Sequence, residues 1–147
     1  MDDLLSMGKI HYIAVSDSPA YIVSRGNAIA ELRGWSEFIA YQFPYNFAFR
    51  TPEREIIPFC RQFDITMTPW SVLGAGLWTG KYSKRKEFSG RLTEGKWRNP
   101  SEESLARAGE LDRIANDIGH SPAQIATNWI RQQADAMIPI FGATNVD

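Results

Sequence analysis

Residues 68–81 read TPWSVLGAGLWTGK and gather the side chains best suited to chemistry. A short apolar run over residues 65–68 leads in, Pro69 stops it, and Trp70 and Ser71 follow. Gly74, Gly76 and Gly80 then fall within seven residues. Glycine lets the backbone take positive φ and lets a ligand approach peptide N–H groups. A strand, an aromatic ring, a hydroxyl and a glycine-rich loop suit a flat ring attached to phosphates. The ring would stack on Trp70, and the phosphates would lie on loop N–H groups. Taken alone, the stretch fits an ordinary loop closing a strand equally well.

Two familiar phosphate motifs do not fit. A P-loop requires G-x-x-x-x-G-K-[ST]. Gly80-Lys81 is present, but Ala75 holds the first glycine position and Tyr82 the position of the magnesium-binding hydroxyl. A dinucleotide fingerprint requires G-x-G-x-x-G. Gly74-x-Gly76 is followed by Gly80, one residue late, and no acidic residue follows at the usual distance on a second strand.

The elements that must position this stretch follow from periodicity and punctuation. Residues 1–7 read as the last turn of a helix, ended by Gly8. Residues 10–15 are a strand-length apolar run. Ser18 as N-cap and Pro19 at the first helical position open a helix to Arg33, stopped by Gly34. Residues 38–43 form a second strand closed by Pro44. Thr51-Pro52 opens a helix whose buried face is Ile56, Ile57, Cys60 and Phe63, with a kink expected at Pro58. Residues 65–68 are the third strand. The connection from Trp70 to Pro100 is long enough to suggest a functional loop. Ser101 caps a helix with Leu105, Ala108, Leu111, Ala115 and Ile118 on one face, ended by Gly119. Ser121 and Gln124 form a capping box for a last helix carrying Ile125, Ala126, Trp129 and Ile130. Residues 137–140 are a fourth strand.

Strands alternating with helices imply a parallel sheet with right-handed crossovers. The notable polar groups each follow a strand: Ser16 and Asp17, Gln42, Trp70 and Ser71, and the run from Gly142 to Asn145. In α/β proteins the carboxyl ends of the strands form the site face. Four strand ends converging there are a stronger signal than any single motif.

Composition bounds the rest. The 147 residues suit one domain, and 44% apolar with 22% charged content indicates a soluble globular chain. A net charge of −1 gives no general pull toward nucleic acid or a membrane surface. No apolar run reaches the length of a membrane span, and the N-terminus lacks the apolar core of a signal peptide. Cys60 is the only cysteine, which fits a reducing cytoplasm. One cysteine with the distant His11 and His120 makes no standard zinc site. His11 reads as a mid-strand core or lumen residue, and Lys81, Lys84, Arg85 and Lys86 as a solvated loop face. Glu53, Glu55, Glu102 and Glu103 read as helix-start charges, and Cys60 as buried packing.

The runs GKIHYIAVSD (residues 8–17), YQFPYN (41–46), RTPEREIIPF (50–59), TPWSVLGAGLWTGKY (68–82) and IPIFGATN (138–145) appear in order and cover nearly the whole chain. Together they resemble the aldo-keto reductases, in particular the aryl-alcohol-dehydrogenase-like branch. The resemblance implies the C-terminal half, strands five to eight, of a (β/α)8 TIM barrel, as a partial oxidoreductase domain over residues 1–147. It also implies NADP as cofactor, with NAD as the alternative. Ser16 and Gln42 match residues that hold the nicotinamide carboxamide, and Asp17 stands where the family usually has asparagine. Trp70 matches the aromatic that stacks on the nicotinamide. Ser71, Leu73, Gly74 and Gly76 match the pyrophosphate loop. Gly142, Ala143, Thr144 and Asn145 match the turn near the adenosine phosphate, with Asn145 replacing a common lysine. The family's catalytic aspartate, tyrosine, lysine and histidine come from strands one to four, so no catalytic residue is assigned here. Lys81 and Tyr82 match the cofactor loop and do not replace that pair.

Three expectations result. The chain is a reductase fragment that carries the cofactor wall and meets a carbonyl substrate only with an N-terminal half. As a second reading, it is a non-catalytic half barrel that still binds nucleotide. As a third, it self-associates or assembles through open barrel edges.

Overall fold

The parallel sheet sets the geometry of everything else. In the computed structural model, residues 1–82, 100–134 and 136–142 are described. Strands β1 (Ile13–Ser16), β2 (Phe38–Gln42) and β3 (Thr66–Met67) lie in the order β1-β2-β3, and both pairings are parallel. The register sets Ser16 opposite Gln42 and Tyr41 opposite Met67. The expected fourth strand continues the sheet through one parallel bridge, Met67 to Met137. Ile138 N–H donates to the Met67 carbonyl and Ile140 N–H to the Pro69 carbonyl, each at 2.8 Å. Pro139 has no N–H, so these alternate donors carry the pairing.

Helix α1 (Asp2–Ser6) precedes β1, and α2 (Ala20–Arg33) crosses from β1 to β2. A 3₁₀ turn (Thr51–Arg54) and α3 (Ile56–Gln62) lead to β3. Then come a 3₁₀ segment (Gly74–Thr79), α4 (Glu102–Ile118) and α5 (Pro122–Arg131). Helices α2 and α4 stop at Gly34 and Gly119, both left-handed, as expected. The Ser121–Gln124 capping box forms in both directions, with N–H···O distances of 2.9 and 3.2 Å. Among the described residues no helix is long and apolar enough to cross a membrane.

Four local expectations are corrected. Strand β1 starts at Ile13 rather than residue 10, and His11 is an exposed residue before it, not a lumen residue. Pro19, not Ser18, occupies the cap position of α2; the Ser18 hydroxyl instead donates back to the Ser16 carbonyl at 3.2 Å. The break after Thr51-Pro52 falls at Glu55 (φ −139°), so Pro58 sits in the first turn of α3, where its missing N–H has no helical partner to lose. Phe63 and Ile118, assigned to buried faces, are 58% and 56% exposed, because each lies at or beyond its helix end.

Strand alternation decides which face is buried. Tyr41 and Phe43 of the β2 segment and Met67 of β3 point to the helices and pack with Val23, Ile57, Cys60 and Ile130. Tyr41 and Phe43 are 0% exposed. Burying each such side chain contributes roughly 1.5–3 kcal/mol. A second cluster joins Leu77, Trp78 and Tyr82 to Ala108, Leu111 and Ala126, so the glycine-rich segment is docked on α4 and α5.

Candidate functional site

Parallel strands end on the same side, and that side gathers the polar residues singled out above. Strand β1 ends at Ser16 and β2 at Gln42, which are register partners. The Ser16 hydroxyl donates to Gln42 Oε1 at 3.5 Å. Asp17 follows with φ 49°, a left-handed conformation that few non-glycine residues adopt, and its N–H donates to the Gln42 carbonyl at 3.0 Å. From beyond β3, Trp70 Nε1 donates to Asp17 Oδ1 at 3.3 Å. Ser16, Asp17, Gln42 and Trp70 therefore form one contiguous rim contributed by three adjacent strands.

The backbone around Trp70 is clamped. Its N–H donates to the Phe43 carbonyl at 2.9 Å, and its carbonyl accepts from Tyr45 N–H at 3.0 Å. Pro44 and Trp70 form a parallel bridge, so pairing outlasts the named strands and Pro44 does not end it. Buried Asn46 was not singled out from the sequence, yet it organises this corner. Its Nδ2 donates to the Ser71 carbonyl at 3.0 Å, while its Oδ1 accepts from the N–H groups of Ala48 and Phe49 at 3.0 and 2.9 Å. Ser71 is held at φ 61°, strained for a side-chain-bearing residue. The sequence signal was a polar residue two positions after Pro44, with no helix of its own to cap.

The loop glycines have an immediate packing role. A Cβ on Gly74 would lie 2.5 Å from the indole nitrogen of Trp78, and Gly74 has φ 55°. The N–H groups of Gly74 and Gly76 donate inside the loop, to the carbonyls of Ser71 and Leu73 at 3.0 and 2.9 Å. Leu73 bridges the two hydrophobic clusters. Gly142 is exposed, two residues past the Ile140–Pro69 hydrogen bond. Ala143, Thr144 and Asn145 lie outside the described residues, as do Lys84, Arg85 and Lys86.

Titratable groups under this rim are held by burial and pairing. Burial pushes the Tyr41 phenol up to about 12, and the Cys60 thiol up to about 12. The phenol of Tyr45 is also raised, first by burial and then by its 2.6 Å hydrogen bond to Glu53. The Glu53 carboxyl is lowered, chiefly by the Arg50 guanidinium at 2.7 Å. A separate cavity of about 640 Å³ lies beside α5, lined in part by Leu73, Ile118, His120, Gln124, Trp129 and Phe141. Sequence periodicity did not reveal it, since its lining combines one side of α5 with the end of α4, Leu73 and Phe141.

The family model described as "Aldo/keto reductase family" matches residues 1–147. The chain belongs to the aldo/keto reductase family. Norsolorinic acid reductase A of Aspergillus parasiticus is 34% identical over 100% of this chain and 36% of its own length. An aryl-alcohol dehydrogenase [NADP(+)] of Phanerodontia chrysosporium is 32% identical over 100% of this chain and 40% of its own length. The solved glycerol dehydrogenase of Gluconobacter oxydans superimposes with a TM-score of 0.75 at 26% identity, covering 97% of this chain and 42% of that one. This aldo/keto reductase chain thus spans roughly two-fifths of the length of these relatives. Its fold is the expected portion of the TIM barrel, and the likeness to aryl-alcohol dehydrogenases within the family holds.

Proposed function

We propose that this chain carries the nicotinamide-binding wall of an NAD(P)H-dependent oxidoreductase that interconverts carbonyl compounds and alcohols. The observation that carries the reading is the contiguous rim Ser16–Gln42 and Asp17–Trp70 at three adjacent strand ends. Its donor set is complementary to a carboxamide. The Ser16 hydroxyl and Gln42 Nε2 can donate to a carboxamide oxygen, and Gln42 Oε1 and the Asp17 carboxylate can accept from its NH₂. Half-buried Trp70 offers an indole face beside them. Ser71, Leu73, Gly74, Gly76 and Gly142 to Asn145 keep the places the resemblance gives them toward the phosphate and adenosine parts of the cofactor, although the N–H groups of Gly74 and Gly76 donate within the loop and so are not the phosphate donors expected from the sequence. NADP is favoured over NAD because a relative at full coverage of this chain is named for NADP(+).

When bound, the nicotinamide supplies hydride; this chain's residues bind the ring, orient it and exclude water from one face. No residue on this rim is placed as the acid that would protonate a carbonyl oxygen. The pure chain is therefore read as a cofactor wall that does not turn over alone. The name of the Phanerodontia chrysosporium relative points to aryl alcohols and their carbonyl counterparts as the substrate class.

The experiment is a titration of the chain with NADPH followed by tryptophan fluorescence. Quenching that disappears in Trp70→Ala is expected, together with no turnover of an aromatic aldehyde above a heat-killed control. An unchanged spectrum at millimolar NADPH overturns the cofactor reading, and turnover by the pure chain overturns the non-catalytic part.

A second reading has its own observation. Ile138 and Ile140, on the sheet face opposite the core, are 58% and 42% exposed. Such a face, and a β1 edge that pairs only with β2 among the described residues, suit association with another half barrel or a second copy. Light scattering should then show a dimer or larger species, and a clean monomer would remove this reading.

A further inference from the structure

We propose that Asp17, acting on Trp70, makes this site select the oxidised, positively charged nicotinamide ring over the reduced, neutral one. The inference rests on the reading of the rim as a nicotinamide wall. The backbone of exposed Asp17 is held in place: its φ of 49° is fixed between β1 and a 3.0 Å hydrogen bond from its N–H to the Gln42 carbonyl. Its Oδ1 accepts the indole N–H of Trp70 at 3.3 Å. Among the described residues Asp17 takes part in no ion pair, so no described Lys or Arg neutralises its charge by direct contact.

Two effects follow, and both act on one redox state only. An indole face is electron-rich and attracts a cation lying on it. A carboxylate hydrogen-bonded to the indole N–H polarises the ring and strengthens that face. The same carboxylate also attracts the pyridinium directly, whereas the neutral dihydropyridine gains nothing from either effect. An asparagine in this position would keep the acceptor for Trp70 and remove the charge. The side chain at position 17 is therefore a specificity determinant for redox state and acts through charge, not shape.

The test measures the dissociation constants of NADP⁺ and NADPH by calorimetry on the full chain and on Asp17→Asn. The native chain should hold NADP⁺ the tighter, and the preference should shrink about fivefold in Asp17→Asn, through weaker NADP⁺ binding alone. If both forms still bind Asp17→Asn with the native ratio, the inference is overturned while the nicotinamide reading stands. If neither form binds the native chain at millimolar concentration, both are overturned. A second measurement needs no variant. The NADP⁺/NADPH ratio on the native chain should narrow as KCl rises, since the phosphate contacts common to both forms cancel in the ratio and only the ring charge remains to be screened. A ratio indifferent to salt overturns the inference.

Discussion

The two ends of the β2 segment's side-chain alternation face different tasks. Tyr41 and Phe43 point into a closed aromatic core, edge-on to each other at 5.8 Å, with Tyr41 also edge-on to Phe59 at 6.4 Å. Gln42, between them in sequence, points the other way, to the rim with Ser16. One face is all packing and no chemistry. The other holds polar groups with spare hydrogen-bonding capacity and little packing. Because a strand's period is two, the rigidity of the first face fixes the position of the second. Damage to the core should therefore remove stability and binding together, while damage to the rim should remove binding alone.

The largest effect should come from Phe43→Ala. The side chain is fully buried, and its loss leaves a cavity that costs about 3–5 kcal/mol. Urea unfolding should show a collapse of the midpoint, and NADPH quenching should vanish with it. Trp70→Ala should lose the quenching with a midpoint close to native. Equal destabilisation by the two variants would erase the distinction between the faces.

Gly74→Ala sharpens the boundary. The backbone there has φ 55°, and a Cβ would lie 2.5 Å from the Trp78 indole nitrogen. Positive φ and the clash together should cost roughly 2–3 kcal/mol, visible as a lower urea midpoint. A smaller gain is expected from Tyr41→Phe. The hydroxyl is buried without a hydrogen-bond partner among the described residues, so its removal should stabilise by about 1 kcal/mol at neutral pH while the ring contacts stay. The phenol's raised value also means that stability falls as pH rises above its ordinary 10.0, because only the unfolded chain ionises readily there. Tyr41→Phe should flatten that alkaline loss.

The sequence made most of this legible where one residue carries one signal. Gly34, Gly119 and the Ser121–Gln124 pair announced helix ends, and the structure places them there. The convergence of Ser16, Gln42 and Trp70 followed from parallel strand order alone. Boundaries were less legible where two signals compete. Pro58 is a helix breaker in the interior and harmless in a first turn, and only the break at Glu55 decides which applies. His11 was misplaced because an apolar run does not mark where pairing starts; β1 pairs only from Ile13. Asn46 was missed because its partners, Ser71, Ala48 and Phe49, are brought together by a turn that no periodicity encodes. Ile138 and Ile140 read as ordinary strand positions, and only the sheet shows that they lie opposite the core.

The smallest effect tests the seam between the two faces. Tyr45 is buried in the core, but its hydroxyl donates to Glu53 at 2.6 Å, and Glu53 is also paired with Arg50 at 2.7 Å. These partners lower the Glu53 carboxyl below its ordinary 4.5 in the folded chain. The stabilisation is therefore complete above the unfolded value and is lost as pH falls through the folded one. Its size is limited, because the Glu53 side chain is 34% exposed and solvent screens the pair; less than about 1 kcal/mol is expected. Glu53→Gln keeps an acceptor for the Tyr45 hydroxyl and removes the titration. Urea midpoints at neutral pH and below 4.5 should converge for native chain and variant on the acid side, with the native chain ahead only at neutral pH. A gap that persists unchanged in acid would mean that Glu53 acts through its shape, and that the seam between core and rim is held by packing and not by charge.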